Sequence, residues 1–218
     1  MDWESAKLIG MYSCCWTAYF CVVNNIPLPK FKKGTKERIS EEDDFDIRNR
    51  LVSILHGSVM LMLSAYEFYF MPKACGDSLN SYEQKVICCS MGYFIYDFLA
   101  MAYYRLLDGS MTIHHTMVLF GYGSCLLQKV GANYGMIGIY ATEVSNPVMH
   151  IRNILRHLGM RYTKAYETME ISFMMLYFYG RLLIGVSCVW NAWLCPVTPF
   201  VIKVSALGIL IQSFFFIN

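Results

Sequence analysis

The chain reads as an all-α membrane protein, a polytopic bundle of about seven transmembrane helices. Three observations predict this. Of the residues, 56% are hydrophobic and 16% charged, against about 25% charged in a typical soluble domain. The mean hydropathy is +0.38, and the apolar residues gather into runs long enough to cross hydrocarbon. In 218 residues these runs leave room for a single membrane domain and no separate soluble one. The net charge of +2 lies in connecting segments and not on one continuous face, which argues against a nucleic-acid partner.

The first run, Leu8–Ile26, follows Asp2 and Glu4 and lacks a basic leader. It ends in Asn24-Asn25-Ile26-Pro27 without a small-residue cleavage site, so a retained helix is expected and not a signal peptide. Lys30–Arg38 and Glu41–Asp46 then read as a solvated loop in reach of anionic lipid. Leu51–Phe70 follows, with His56 early in it, and Val86–Leu107 carries Asp97 in its middle. Thr112–Leu127 opens on the pair His114-His115. Tyr134–Ile154 contains Glu143 and is strained at Pro147, which frees a carbonyl four residues back. Ile171–Trp190 holds Arg181, and Val197–Ile217 is the seventh span.

Counting cations orients the bundle. Loops one, three and five with their flanks hold twelve: Lys30, Lys32, Lys33, Lys36, Arg38, Arg48, Arg50, Arg105, Arg152, Arg156, Arg161 and Lys164. The opposite side holds four, Lys7, Lys73, Lys85 and Lys129. The positive-inside bias therefore sets the N-terminus outside and the C-terminus inside. Asp97 then lies about ten residues, or ~15 Å, above the inner face. His56, His114, His115, Glu143 and His150 fall in the same half of the membrane, so the polar residues are expected to converge on one hollow there.

A charge at bilayer depth costs roughly 2.5–3.5 kcal/mol on insertion scales, so these residues are where function is sought. Neighbours on a helix diverge by about 100°, so only one of His114 and His115 can point squarely into the bundle. An imidazole there can serve as general base or acyl acceptor, or the two can be an interfacial pair. Asp97 needs a donor or a cation, with a histidine or Arg181 as candidates; the alternative is a helix-packing ion pair. Glu143, in Glu143-Val144-Ser145-Asn146-Pro147, either lines a cavity at a broken helix or sits in a plain kink, bonded to a tyrosine. Arg181 cannot shed its charge and is expected to pair with Glu143 or Asp97. Ser53 and His56 share a helix face, as half of a site or as an interhelical hydrogen bond. His150, Arg152 and His157 read as interfacial.

Of nine cysteines, Cys75 and Cys195 alone fall in loops, both on the outer side, where an oxidising lumen would allow a disulfide. Several enzyme classes are disfavoured. Five histidines without a His-x-x-His-His run do not suit a di-iron desaturase. Neither the zinc motif His-Glu-x-x-His nor the nucleophile elbow Gly-x-Ser-x-Gly occurs, and no metal site is expected. Asn146-Pro147 occurs in the fifth span of a chain with short loops, which does not support a receptor.

The ordered set Arg50, Ser53, His56, Tyr96-Asp97, His114-His115, Glu143-x-Ser145-x-Pro147, Arg152 and Arg181 resembles the TLC domain family, over roughly residues 41–217. That family includes ceramide synthases and translocating-chain-associating membrane proteins. Within it the chain is most similar to the TLC domain-containing branch of the protein 4 type. The resemblance implies a helical bundle with a cavity open to lipid, a role in lipid metabolism or membrane composition, and residence in the endoplasmic reticulum, with the mitochondrial inner membrane as alternative. Ceramide synthases join an acyl group from acyl-CoA to a sphingoid amine through a double-histidine motif that His114 and His115 match. Where they carry an Asp-containing motif, this chain presents Glu143-Val144-Ser145.

On this reading His114, His115 and Asp97 are the candidate catalytic residues. Candidates for binding a membrane lipid or acyl chain are His56, Tyr96, Glu143, Ser145 and Arg181. No cofactor is expected to be bound, and acyl-CoA would be a co-substrate for acyl transfer to a lipid amine or hydroxyl. The competing expectation is a non-catalytic lipid sensor, trafficking factor or accessory subunit of a larger membrane complex.

Overall fold

Helices begin where the sequence offers a cap. In the computed structural model, which describes residues 1–215, Asp2 accepts from the Ser5 amide (2.8 Å) and starts α1, Trp3–Val23. Ser40 caps α2, Glu41–Phe70, and Asn80 with Glu83 forms a reciprocal capping box on α3, Ser81–Tyr103. Asp108 caps α4, Gly109–Gln128. A tight turn through the left-handed residues Lys129 and Gly131 leads into α5, Ala132–Glu143. The chain breaks at Val144 and Ser145 and resumes as α6, Asn146–His157, with Pro147 in its first turn. Thr163 caps α7, Lys164–Leu194, and α8 is Phe200–Phe215.

With α5 and α6 forming one broken crossing, the described residues form an all-helical integral membrane bundle of seven crossings. Helices α1, α2, α3 and α7 are each long and apolar enough to span a bilayer. Large apolar side chains such as Phe70, Leu99, Phe120, Met175 and Phe200 face outward, as expected where the solvent is lipid. The predicted spans match these helices closely, apart from one clear difference. Helix α2 begins ten residues before Leu51, because Ser40 and the acidic first turn start a helix that water, and not hydrocarbon, solvates. Residues 216 and 217 of the predicted last span lie outside the described residues.

Packing joins α1 to α3, α2 to α5 and α6, α4 to α8, and α6 to α7. Small residues make the closest approaches, as in membrane helix pairs generally. A Cβ on Gly92 would stand 2.8 Å from Tyr12 Cβ and 2.9 Å from the Ser13 amide, so only glycine lets α1 lie on α3. Gly180 of α7 is tighter still: a Cβ there would be 2.4 Å from the Ala141 carbonyl oxygen and 2.4 Å from Val144 Cγ1. Around it α7 widens into a π-helical turn, Phe178–Ile184. Two irregular backbone segments thus meet in mid-bundle, the break between α5 and α6 and the π turn of α7.

The two ends of the bundle are tied differently. On the side predicted to be outer, a disulfide joins Cys75, in the α2–α3 loop, to Cys195, in the α7–α8 loop, 120 residues away. Beside it Lys73 donates to Glu83 Oε2 at 2.7 Å and to the Ser78 carbonyl at 2.8 Å. Lys129 pairs with Asp2 and holds that carboxyl well below the usual range. On the inner side a small hairpin closes between Phe31 and Arg38, and its Lys33 amide donates to the Leu158 carbonyl at 2.9 Å. His157 lies 2.7 Å from Asp43 and 2.8 Å from Asp46, an interfacial clamp between α6 and α2.

Candidate functional site

The predicted residues form two neighbouring groups and not one. The first is a solid polar core between α2, α3 and α4. His115, 2% exposed, presents Nε2 to Asp97 Oδ2 at 2.9 Å and Nδ1 to its own helix's Met111 carbonyl at 2.8 Å. Nδ1 donates to that carbonyl, and a single proton bridges Nε2 and the Asp97 carboxyl, so the two side chains are locked together. Asp97 Oδ1 accepts from Asn49 Nδ2 at 2.6 Å, and Tyr96 donates its hydroxyl to Asn49 Oδ1 at 2.8 Å. Asp97 is 7% exposed. One turn further along α2, Ser53 accepts from Tyr93 (2.8 Å), and His56 stacks on the Tyr93 ring at 3.7 Å with Nε2 3.3 Å from Ser90 Oγ. His56 therefore makes an interhelical contact inside this core. Ser145 is buried at the α5–α6 break, 3.4 Å from the Thr142 carbonyl.

The second group lines a cavity between α3, α4, α5, α6, α7 and α8, with about 840 Å³ of atom-free space including its open side. Its polar end is set by His114, Glu143, Asn146, Arg181 and Ser213. From there it runs toward the outer side past Val118, Tyr122, Gly138 and Leu210, and is walled by Cys125, Tyr134, Cys188 and Ile202. Along α4 alone, His114 to Cys125 is ~16 Å of helix. Glycines keep the passage open, and a Cβ built on Gly138 would meet nothing within 4 Å.

His114 is the histidine on the cavity wall. Its Nδ1 is 3.2 Å from Gln212 Oε1, and the Gln212 amide nitrogen donates to Ser110, 2.7 Å to its carbonyl and 2.9 Å to its hydroxyl. Those two bonds fix which end of the amide faces His114, so Nδ1 must be the protonated nitrogen. Nε2 then keeps its lone pair and has no partner among the described residues. The adjacent histidines thus differ completely: one is sealed against Asp97 and the other presents a free nitrogen to the hollow.

Arg181 corrects the expected pairing. Neither Glu143 nor Asp97 salt-bridges it; Nη1 donates to Ser213 Oγ at 3.3 Å and Nη2 to Asn146 Oδ1 at 3.4 Å. Asp97 is already taken by His115 and Asn49, and Glu143, 5% exposed, accepts from Asn146 Nδ2 at 3.0 Å. An amide therefore stands between the acid and the base. Asn49, Asn146, Gln212 and Ser213 are site residues that the sequence reading misses. Gln212 had a readable signal, a lone amide in an otherwise apolar terminal helix, and Asn49 lies one turn before Ser53 on the same face of α2.

The TLC domain matches residues 46–217, from the second turn of α2 onward. The chain belongs to the TLC domain family. Similar to it is TLC domain-containing protein 1 of Gallus gallus, 26% identical over 191 residues, covering 85% of this chain and 73% of that protein. TLC domain-containing protein 2 of Danio rerio is 23% identical over 124 residues, covering 55% of this chain and 50% of that one. No solved structure matches the chain. The TLC domain therefore contains both groups of polar residues and the whole cavity, while α1 precedes the match and packs against it through Gly92.

Proposed function

We propose that this TLC domain protein works in lipid metabolism, holding an acyl chain in the cavity and transferring acyl groups at its polar end. The donor would be a thioester such as acyl-CoA and the acceptor a lipid amine or hydroxyl. One observation carries this reading: His114 presents an unpartnered Nε2 at the polar end of a long apolar passage, with its tautomer held by Gln212. The imidazole would take the acceptor's proton as its nitrogen or oxygen attacks the thioester carbonyl carbon. It would return that proton to the departing thiolate, so the histidine ends as it began. Asp97 and His115, in the adjoining polar core, would position α4 and hence His114. The Cys75–Cys195 disulfide supports a membrane with an oxidising far side, as in the endoplasmic reticulum.

Gly138→Leu tests the acyl-chain site. The new side chain enters open passage without striking backbone, and the change favours the helix by roughly 0.5–1 kcal/mol. Displacing two methylenes' worth of burial lowers affinity roughly tenfold, at about 0.8 kcal/mol each. The expected result, by mass spectrometry of the protein released from native membrane, is loss of co-purified acyl lipid with an undiminished melting temperature. Acyl transfer should fall in parallel. Unchanged lipid occupancy would sink the reading, and occupancy that falls in a protein with no transfer activity would favour a carrier or sensor.

A further inference from the structure

The polar end of the cavity holds a cation that its surroundings compensate poorly. Arg181 lies near the middle of α7; its two hydrogen bonds, to Ser213 and Asn146, are both long, and the Tyr177 ring, 5.6 Å from Cζ, offers only its π face and no anion. Its Nε is buried with no partner among the described residues. Glu143 is turned toward α2, with Oε2 only 2.8 Å from where a Cβ on Gly57 would stand, and reaches Arg181 only through the Asn146 amide. A guanidinium does not become neutral in proteins, so burial leaves the charge in place and makes a paired anion strongly favourable. Gln212 and Ser213 are adjacent on α8, and one contacts His114 while the other contacts Arg181. His114 and Arg181 thus both line the polar end of the cavity.

We propose that the lipid taken by this cavity is a single-chain amphiphile carrying an oxyanion, a carboxylate or a phosphate, which Arg181 receives with Ser213 and Asn146 beside it. The inference rests on the acyl-chain reading and narrows it. The planar fork of the guanidinium matches either oxyanion with paired hydrogen bonds, which a neutral ester or amide headgroup cannot supply. The apolar remainder of the cavity takes the chain past Gly138 toward Cys188 and Ile202.

The test measures binding of radiolabelled oleate, oleoyl lysophosphatidate and monooleoylglycerol to the full chain in detergent micelles. At least one anionic probe is expected to bind about tenfold or more tightly than the neutral one, as a charge-assisted contact implies. The preferred anion tells carboxylate from phosphate. Arg181→Gln should bring the three affinities together, and Arg181→Lys should keep part of the preference. Should the glutamine variant fail to fold, the lysine variant carries the comparison, since the ratio between probes is read within one preparation. Equal affinities in the wild type, a preference that survives in folded Arg181→Gln, or no saturable binding of either anion would overturn the proposal. Gly138→Leu separates the two levels: if it weakens all three probes alike while no preference exists, the chain site stands and only the anion inference fails. If it weakens none, the acyl-chain reading itself fails.

Discussion

His114→Ala is expected to reduce acyl transfer by roughly 10²–10⁴-fold, the range associated with removing a positioned general base. Stability should barely change. The lost side chain makes one hydrogen bond, to Gln212, worth about 1 kcal/mol net, and the Gln212 amide keeps its two bonds to Ser110. The measurement is transfer from a labelled thioester to endogenous lipid acceptors in reconstituted bilayers, alongside thermal unfolding in detergent. Full activity in the variant would remove His114 from the chemistry. Gln212→Leu is the subtler companion: it releases the tautomer without touching the imidazole, so a partial loss that exceeds any change in melting temperature would mark Gln212 as a positioning residue.

Asp97→Ala should produce the opposite pattern, a fold weakened by about 3–5 kcal/mol, because it leaves both the buried His115 Nε2 and Asn49 Nδ2 without their partner. His115→Ala should weaken the fold to a similar degree, since it strands the carboxylate instead. The double variant should cost less than the two single costs combined, with a coupling of about 0.5–3 kcal/mol as for residues in direct contact. Denaturation in mixed micelles, followed by helicity, reads all three. If Asp97→Ala unfolds at wild-type denaturant, the pair is not what joins α3 to α4. Together the two sets separate adjacent residues by role: His114 is expected to govern turnover and His115 the integrity of the bundle.

Much of this arrangement is legible in the amino-acid sequence, and the part that is not has a common cause. Depth follows from counting residues along apolar runs, so the crossings and the shared half of the bundle taken by the polar residues can both be read from the order of residues. The step of about 100° between His114 and His115 separates their surroundings, yet both lie inside the bundle, one in the polar core and one on the cavity wall, where the angle alone admits only one. Azimuth between helices is not written in any one segment. Asp97 can be matched with a histidine because candidates are few, but the acids that charge alone offers to Arg181 are engaged by other residues. Asn146 explains that miss: a neutral amide can bridge charged partners, yet nothing in its own sequence context marks it as doing so. Hydropathy likewise sees Phe178–Ile184 as seven more residues of span, because a π turn and an α turn have the same composition.

That turn has a consequence for how the helix can vary. The half of α7 before it is registered on α6, where Arg152 meets Glu170 at 2.8 Å, and the half after it is registered on α5, where the Cys188 thiol reaches the Tyr134 carbonyl. One surplus residue lets a single rod satisfy two docking partners whose angular demands disagree. Losing it would leave length and oiliness almost untouched while swivelling everything downstream by about 100°, carrying the guanidinium off the passage wall. Among relatives of this chain, alignment gaps inside that short stretch should therefore coincide with a changed residue at the Arg181 position.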